Sequence, residues 1–280
     1  MFLNMFSYIN FFLNKIEIKI EIKNQLKNII IIINRMNYEI QIISIEGNIG
    51  SGKSTLLEKL KKHFKNNINI IFLREPVNEW SNIKDEKGVT ILEKFYADQE
   101  KYSFSFQMMA YISRLKLIRD CFNDIHTDVQ KNSSECANLE WNSKNKLKYF
   151  IITERSLFTD KMVFAKMLYD TGKIEKINYE IYLNWFNTFA DDFPVKKIIY
   201  VKVEPETCYK RVGKRDRDGE DLIPLDYLES CNNYHNNMLD KSLDECVCKN
   251  QLVLDGNIDI YENNNTLDEW ICSIEKFVYN

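Results

Sequence analysis

The stretch EIQIISIEGNIGSGKSTLLEKLKKHF, residues 39–64, decides the fold. Its first eight residues form an apolar, β-branched run that reads as a strand, and TLLEKLKKHF reads as a helix. Between them GNIGSGKS, residues 47–54, satisfies G-x-x-x-x-G-K-[ST] in the strand–loop–helix context that the motif requires. Glycines at 47, 50 and 52 let the backbone curl with its N–H groups inward, Lys53 reaches the outer phosphates, and Ser54 can ligate Mg²⁺ while the helix amino end adds a favourable dipole. The loop Gly47, Asn48, Ile49, Gly50, Ser51, Gly52, Lys53, Ser54 and Thr55 is thus expected to bind a nucleoside triphosphate. The reaction stays open, because GTPases, ATPases and kinases share this loop. No NKxD motif follows on a later strand, which argues against a GTPase.

Outward from this loop, short β-rich runs alternate with longer helical patterns. Strands are expected at 39–46, 69–73, 148–154, 196–203 and 251–255, all nearly continuous apolar runs of the kind buried in parallel sheets. Helices are expected to begin near Gly52, Thr90, Ser103, Phe158, Glu175, Pro205 and Pro224. The fold class is therefore α/β, a five-stranded parallel sheet covered by helices. Residues 123–147 are polar, without a sustained period, and read as a surface insertion. One domain is expected over 37–280, behind a biased Asn-, Ile- and Phe-rich extension at 1–36 that reads as disordered.

The 280 residues carry 38 Lys and Arg against 41 Asp and Glu, a net charge of -3. That balance offers no field for a nucleic-acid backbone and suits small anionic ligands. No apolar run is long enough to span a membrane, so neither nucleic acid nor membrane is an expected partner. Seven scattered cysteines form no CxxC pair, and the CVC at 246–248 has no second pair to complete a metal site; they read as reduced thiols. A cytoplasmic location is expected. A mitochondrial presequence is the alternative, since lysines recur in the extension while acids are sparse, but Arg and Ser are also scarce.

Three further segments bear on the acceptor. LREPVNEW puts Glu75 at the carboxyl end of the second strand, where a carboxylate can take the proton of an attacking hydroxyl. KYFIITERS ends the third strand on Glu154, suited to Mg²⁺, and Arg155, suited to phosphate or the acceptor. Each of these, standing alone, is equally an ordinary strand-end acid or ion pair. RVGKRDRDGE concentrates Arg211, Lys214, Arg215 and Arg217 inside seven residues, with Gly213 and Gly219 allowing mobility, and reads as a lid, residues 211–221, that closes on the triphosphate.

Taken together, GNIGSGKS, REPVNEW, FYADQEKYSFSFQ, SRLKL, ERSLFTD and RVGKRDRDGEDLIPLDYL resemble the deoxyribonucleoside kinases, the family of deoxycytidine, deoxyguanosine, deoxyadenosine and mitochondrial thymidine kinases. The match keeps motif order and spacing over roughly residues 40–260. The resemblance implies a P-loop kinase fold with helices on both faces of the sheet and an Arg-rich lid. It also implies a homodimer that uses ATP and Mg²⁺ to phosphorylate a deoxynucleoside 5′-hydroxyl in deoxynucleotide salvage. By the same resemblance Glu75 is the general base, Arg155 holds the hydroxyl region, and Glu154 organises Mg²⁺ with Ser54. Tyr96 and Glu220 bind the sugar 3′-hydroxyl, and Tyr227 crowds the sugar against ribose. Gln107 fixes the base in a slot lined by Trp80 and Phe106. Arg211, Arg215 and Arg217 act on ATP.

Thymidine-preferring members carry small or apolar residues where this chain has Arg114 and Asp160. That charged pair implies deoxyguanosine, deoxyadenosine or deoxycytidine over thymidine, with a weak lean to purines. An ordinary interhelical salt bridge is the alternative for the pair. Two other functions remain as alternatives for the whole chain. A thymidylate-type nucleoside monophosphate kinase shares the loop and lid, but usually has glycines after the EP element where Val77, Asn78, Glu79 and Trp80 stand here. A catalytically silent nucleotide-binding subunit need not keep base, Mg²⁺ ligand and lid together.

Overall fold

The computed structural model describes residues 38–135, 147–215, 220, 223–260 and 264–280. The extension at 1–36, the end of the polar insertion, and residues 216–219 and 221 of the expected lid, Arg217 among them, lie outside the described residues. Residues 41–137 and 150–280 form one compact unit, and 1–40 with 138–149 are assigned to a second. The described residues of the second unit are the first three of two strands, 38–40 and 147–149, and there Tyr38 and Tyr149 meet edge to face at 6.1 Å.

In chain order the elements are β1 (Tyr38–Glu46), α1 (Lys53–His63), β2 (Ile70–Leu73), the short α2 (Val77–Trp80), α3 (Ile91–Ala97), α4 (Gln99–Glu135) and β3 (Leu147–Glu154). Then come α5, which runs through Leu157–Thr159, a π-helical turn at Asp160–Ala165 and Lys166–Asp170, followed by α6 (Lys176–Phe189), β4 (Val195–Lys202), α7 (Pro205–Arg215), α8 (Leu225–Leu239), β5 (Gln251–Asp255) and α9 (Asn264–Tyr279). The strands order β2-β3-β1-β4-β5, and the β2/β3, β1/β4 and β4/β5 pairs are parallel. All five expected strands are present.

Neighbouring residues on one strand face opposite layers, as strand geometry dictates. Ile42, Ile198 and Tyr200 pack with α4, α5, α6 and α8, whereas Ile43, Ile45, Ile199 and Val201 pack with α1, α7 and α9. Each layer buries its own continuous apolar cluster, so the sheet is covered on both faces.

Two elements differ from expectation. Helix α4 starts at Gln99 rather than Ser103, where Asp98 Oδ1 accepts the Lys101 backbone N–H at 3.2 Å in the manner of an N-cap. It also continues to Glu135, so the first half of the polar stretch is helix; Ile118, Cys121 and Ile125 keep one buried stripe at helical spacing beneath a polar surface. Finally, α9 closes the chain where no helix was expected, with Ile274 and Val278 fully buried. Among the described residues no helix is long and apolar enough to cross a membrane.

Candidate active site

The carboxyl ends of β1, β2 and β3 meet where the strand order reverses, the position at which open parallel sheets bind ligands. A cleft of about 810 Å³ opens there. Its floor is the loop after β1. Gly47 has φ 145° and a Cβ would stand 2.5 Å from the Val201 carbonyl; Gly50 has φ 79° and a Cβ would stand 2.7 Å from the Cys208 carbonyl. No side chain fits either place without moving backbone, so this curl requires glycine at both.

Ile49, Gly50, Ser51, Gly52, Lys53, Ser54 and Thr55 line the cleft. Gly47 and Asn48 do not: the Asn48 amide donates to the Leu228 carbonyl at 2.8 Å and pins the loop to α8. Lys53 Nζ donates to the Asn48 carbonyl at 2.6 Å. Burial, reinforced by Arg155, pushes the Lys53 ammonium down to about 7 against the opposing pull of Glu154 and Glu75.

The expected acids and arginines converge on this floor. Ser54 Oγ donates to Glu154 Oε1 at 2.5 Å, and the other Glu154 oxygen accepts the Glu75 backbone N–H at 3.4 Å. Glu75 Oε1 accepts from Arg114 Nη2 at 2.9 Å and faces Arg155 Nε at 3.4 Å. Burial alone would raise the Glu75 carboxyl, but Arg155 and Arg114, with Lys53 beyond, overcome it and hold the group at about 2. Glu75 is therefore a carboxylate at every physiological pH.

Arg114 lies behind the cleft wall rather than on it. Its guanidinium donates to Asp160 through Nε at 2.9 Å and Nη2 at 3.3 Å, and through Nη1 to the Glu154 carbonyl at 2.7 Å. Asp160, on the π-helical turn of α5, does line the cleft. Burial pushes its carboxyl up while Arg114 pulls it back.

On the roof, Phe95 and Phe106 stack at 4.5 Å, and Trp80 meets Phe106 edge to face while its indole N–H donates to Ser113 Oγ at 2.9 Å. Gln107 is buried on the wall and its Oε1 has no hydrogen-bond partner. Tyr96 and Tyr227 meet edge to face at 6.1 Å, and burial with the nearby Glu220 carboxylate raises the Tyr96 hydroxyl. Helix α3 is set in this place by a capping box: Thr90 Oγ1 accepts from the Glu93 N–H, and Glu93 Oε2 accepts from the Thr90 N–H at 2.7 Å. Arg211, Lys214 and Arg215 reach the cleft from the last two turns of α7, so Gly213 sits inside a helix and not in a loop; Arg215 Nε donates to Glu220 at 2.9 Å.

Residues 43–279 match the family model for deoxynucleoside kinases. The chain belongs to the deoxynucleoside kinase family. Its members are ATP-dependent phosphotransferases that act on a nucleoside hydroxyl. The chain is 31% identical to deoxycytidine kinase of Homo sapiens over 71% of this chain and 75% of that protein. It is also 31% identical to the mitochondrial thymidine kinase 2 of Homo sapiens, over 71% of this chain and 64% of that protein. A structure of deoxyadenosine kinase from M. mycoides, solved with the products dCMP and a flexible dCDP, shares the fold at a TM-score of 0.60 with 22% identity, covering 84% of this chain and all of that one.

Several features of this site escaped the sequence. Arg155 is the one described non-glycine residue with positive φ, at 65°. It is held by its N–H on the Ile45 carbonyl at 3.0 Å, by Nη1 on the Gly47 carbonyl at 2.8 Å, and over the Phe164 ring at 4.9 Å. Such strain costs of order 1–3 kcal/mol and persists only where surroundings over-determine it. Fully buried Glu46 accepts from Ser44 at 2.5 Å and from Thr159 at 2.6 Å, joining the end of β1 to the start of α5. Gly256, Ile258, Asp259 and Ile260, on a segment with no motif, and Trp270 of α9 close the cleft beyond the loop.

Proposed function

We propose that this kinase phosphorylates the 5′-hydroxyl of purine deoxynucleosides or deoxycytidine in preference to thymidine. The observation that carries the reading is Asp160, a carboxylate on the cleft wall gripped at both oxygens by Arg114. A fixed acceptor at the base edge suits the exocyclic amino groups of cytosine, adenine and guanine, whereas thymine has no exocyclic amino group and sets carbonyls and a methyl around its single N3–H donor. Membership alone does not choose the base, since one relative is named for thymidine and another for deoxycytidine.

In this reading Glu75 takes the hydroxyl proton and Arg155 holds the hydroxyl region. Lys53, Arg211, Arg215 and Arg217 bind the triphosphate, with the loop N–H groups beneath. Gln107, whose buried oxygen lacks a partner, pairs with the base between Trp80 and Phe106. Tyr96 and Glu220 bind the 3′-hydroxyl, and Tyr227 excludes ribose. Ser54 and Glu154 supply two adjacent hard oxygen donors, which suits Mg²⁺ because that ion is usually held by one or two protein ligands plus substrate phosphates. When bound, the ion would neutralise charge on the β- and γ-phosphates.

Incubation with labelled ATP, Mg²⁺ and each deoxynucleoside or monophosphate, ranked by kcat/KM, tests the reading. Thymidine is expected at the bottom. Thymidine at the top would overturn the base assignment, and product from monophosphates alone would restore the thymidylate-type alternative.

We also infer a homodimer, as the family resemblance implies. Ile177, Ile181 and Trp185 recur every four residues on α6 and are 67%, 42% and 51% exposed, and Ile112 of α4 is 51% exposed. An apolar stripe of this kind on a soluble protein marks an interface. Trp185→Glu should convert a dimer to a monomer in sedimentation equilibrium, and a wild-type chain that sediments as a monomer would overturn the inference.

A further inference from the structure

His235 is fully buried in α8, and no step assigned above uses it. It lies on the helix stripe Tyr227, Cys231, His235, one turn apart, so it points the way Tyr227 points. Its Nδ1 sits 2.7 Å from the Cys231 carbonyl, which can only accept, so Nδ1 carries the proton. The lone pair of Nε2 is then left facing Arg155 Nη1 at 3.3 Å. Burial, reinforced by the Arg155 and Lys53 charges, holds the imidazole neutral, well below its usual range. A protonated ring would set a second donor against a guanidinium that can only donate. Phe164 ties the group together: its face carries Arg155 at 4.9 Å and its ring meets His235 edge-on at 6.3 Å.

We propose that His235 is a positioning residue for phosphoryl transfer, a neutral acceptor that fixes the Arg155 guanidinium between the Gly47 carbonyl and Glu75. The proposal rests on the role given to Arg155 above. The backbone of Arg155 is already in a strained region, so its side chain depends on these few contacts for its aim. Three of them, to Gly47, Glu75 and Phe164, belong to the cleft or its floor; His235 is the one that reaches Arg155 from behind.

The test is a double-mutant cycle in the full-length kinase with purified His235→Phe, His235→Gln, Arg155→Ala and the Arg155→Ala/His235→Phe pair. Misaimed groups cost up to about a hundredfold, so His235→Phe is expected to lower kcat roughly tenfold to a hundredfold with smaller changes in KM for ATP and nucleoside. His235→Gln, which keeps an acceptor oxygen, is expected to recover most of that loss. In the Arg155→Ala background His235→Phe should have almost no further effect on kcat, because it would act only through the missing guanidinium. A merely structural histidine would instead lower Tm in both variants and multiply the kcat loss in both backgrounds. Wild-type kcat in His235→Phe, or multiplicative losses, would overturn the proposal. Wild-type kcat in Arg155→Ala would overturn the role of Arg155 itself.

Discussion

Glu75→Gln is expected to lower kcat by about two orders of magnitude or more while ATP affinity stays within a few-fold of wild type. The substitution removes the proton acceptor, and general-base groups typically contribute 10²–10⁴-fold. The expected loss lies toward the smaller end of that range for a structural reason. Arg114 and Arg155 hold the Glu75 carboxyl at about 2, which makes it an orienting acceptor more than a strong base. Loose phosphoryl-transfer transition states ask little of a base before the bond to phosphorus forms, so the position of the acceptor hydroxyl dominates. ATP binding survives because the loop, Lys53 and the α7 arginines are untouched. Steady-state kinetics with a direct ATP-binding measurement decide the matter, and turnover within threefold of wild type would remove Glu75 from the mechanism.

The second large effect concerns Arg114. Its guanidinium serves Asp160, Glu75 and the Glu154 carbonyl at once, all in the interior. Arg114→Met alone leaves two carboxylates without their shared cation, and breaking a buried pair from one side costs about 3–5 kcal/mol. Asp160→Ala together with Arg114→Met removes one of those carboxylates as well. The double variant should therefore be more stable than Arg114→Met alone, which thermal melts read directly as the sign of the coupling. On kinetics, the double variant should raise kcat/KM for thymidine relative to the other deoxynucleosides by about tenfold or more, the scale of one misplaced group in a base pocket. Unchanged substrate ratios would make the pair an interhelical salt bridge and nothing else.

Much of the fold was legible because each deciding signal is local. GNIGSGKS carries its own strand and helix, and the other strands are apolar runs that only a doubly covered sheet explains. The missed α9 and the long α4 show the limit: their exposed faces are polar, and their buried stripes acquire meaning only once the sheet exists for them to cover. In the site, Glu75, Glu154 and Arg155 could be picked out because strand ends announce them. The position of Arg114 behind Glu75 could not, since it depends on where α4 crosses β3. His235 was within reach, because its spacing from Tyr227 and Cys231 is helical, but nothing in the sequence set a buried imidazole against an arginine. The segment Gly256–Ile260 offered no composition cue at all.

Glu46 has a consequence for how the catalyst is partitioned. Its carboxylate bolts the end of β1 to the first turn of α5 through Ser44 and Thr159, in the same few residues that carry the loop and Arg155. On the reading proposed above, donor cradle and acceptor clamp are thus parts of one anvil. Most of the side chains proposed to face the nucleoside, by contrast, hang from α2, α3, α4 and α8, separate beams laid across it, and Asp160 alone of the proposed base contacts sits on α5. A beam can be recut for a different base while the anvil keeps the same face, so a lineage built on this plan can change its diet without relearning its chemistry.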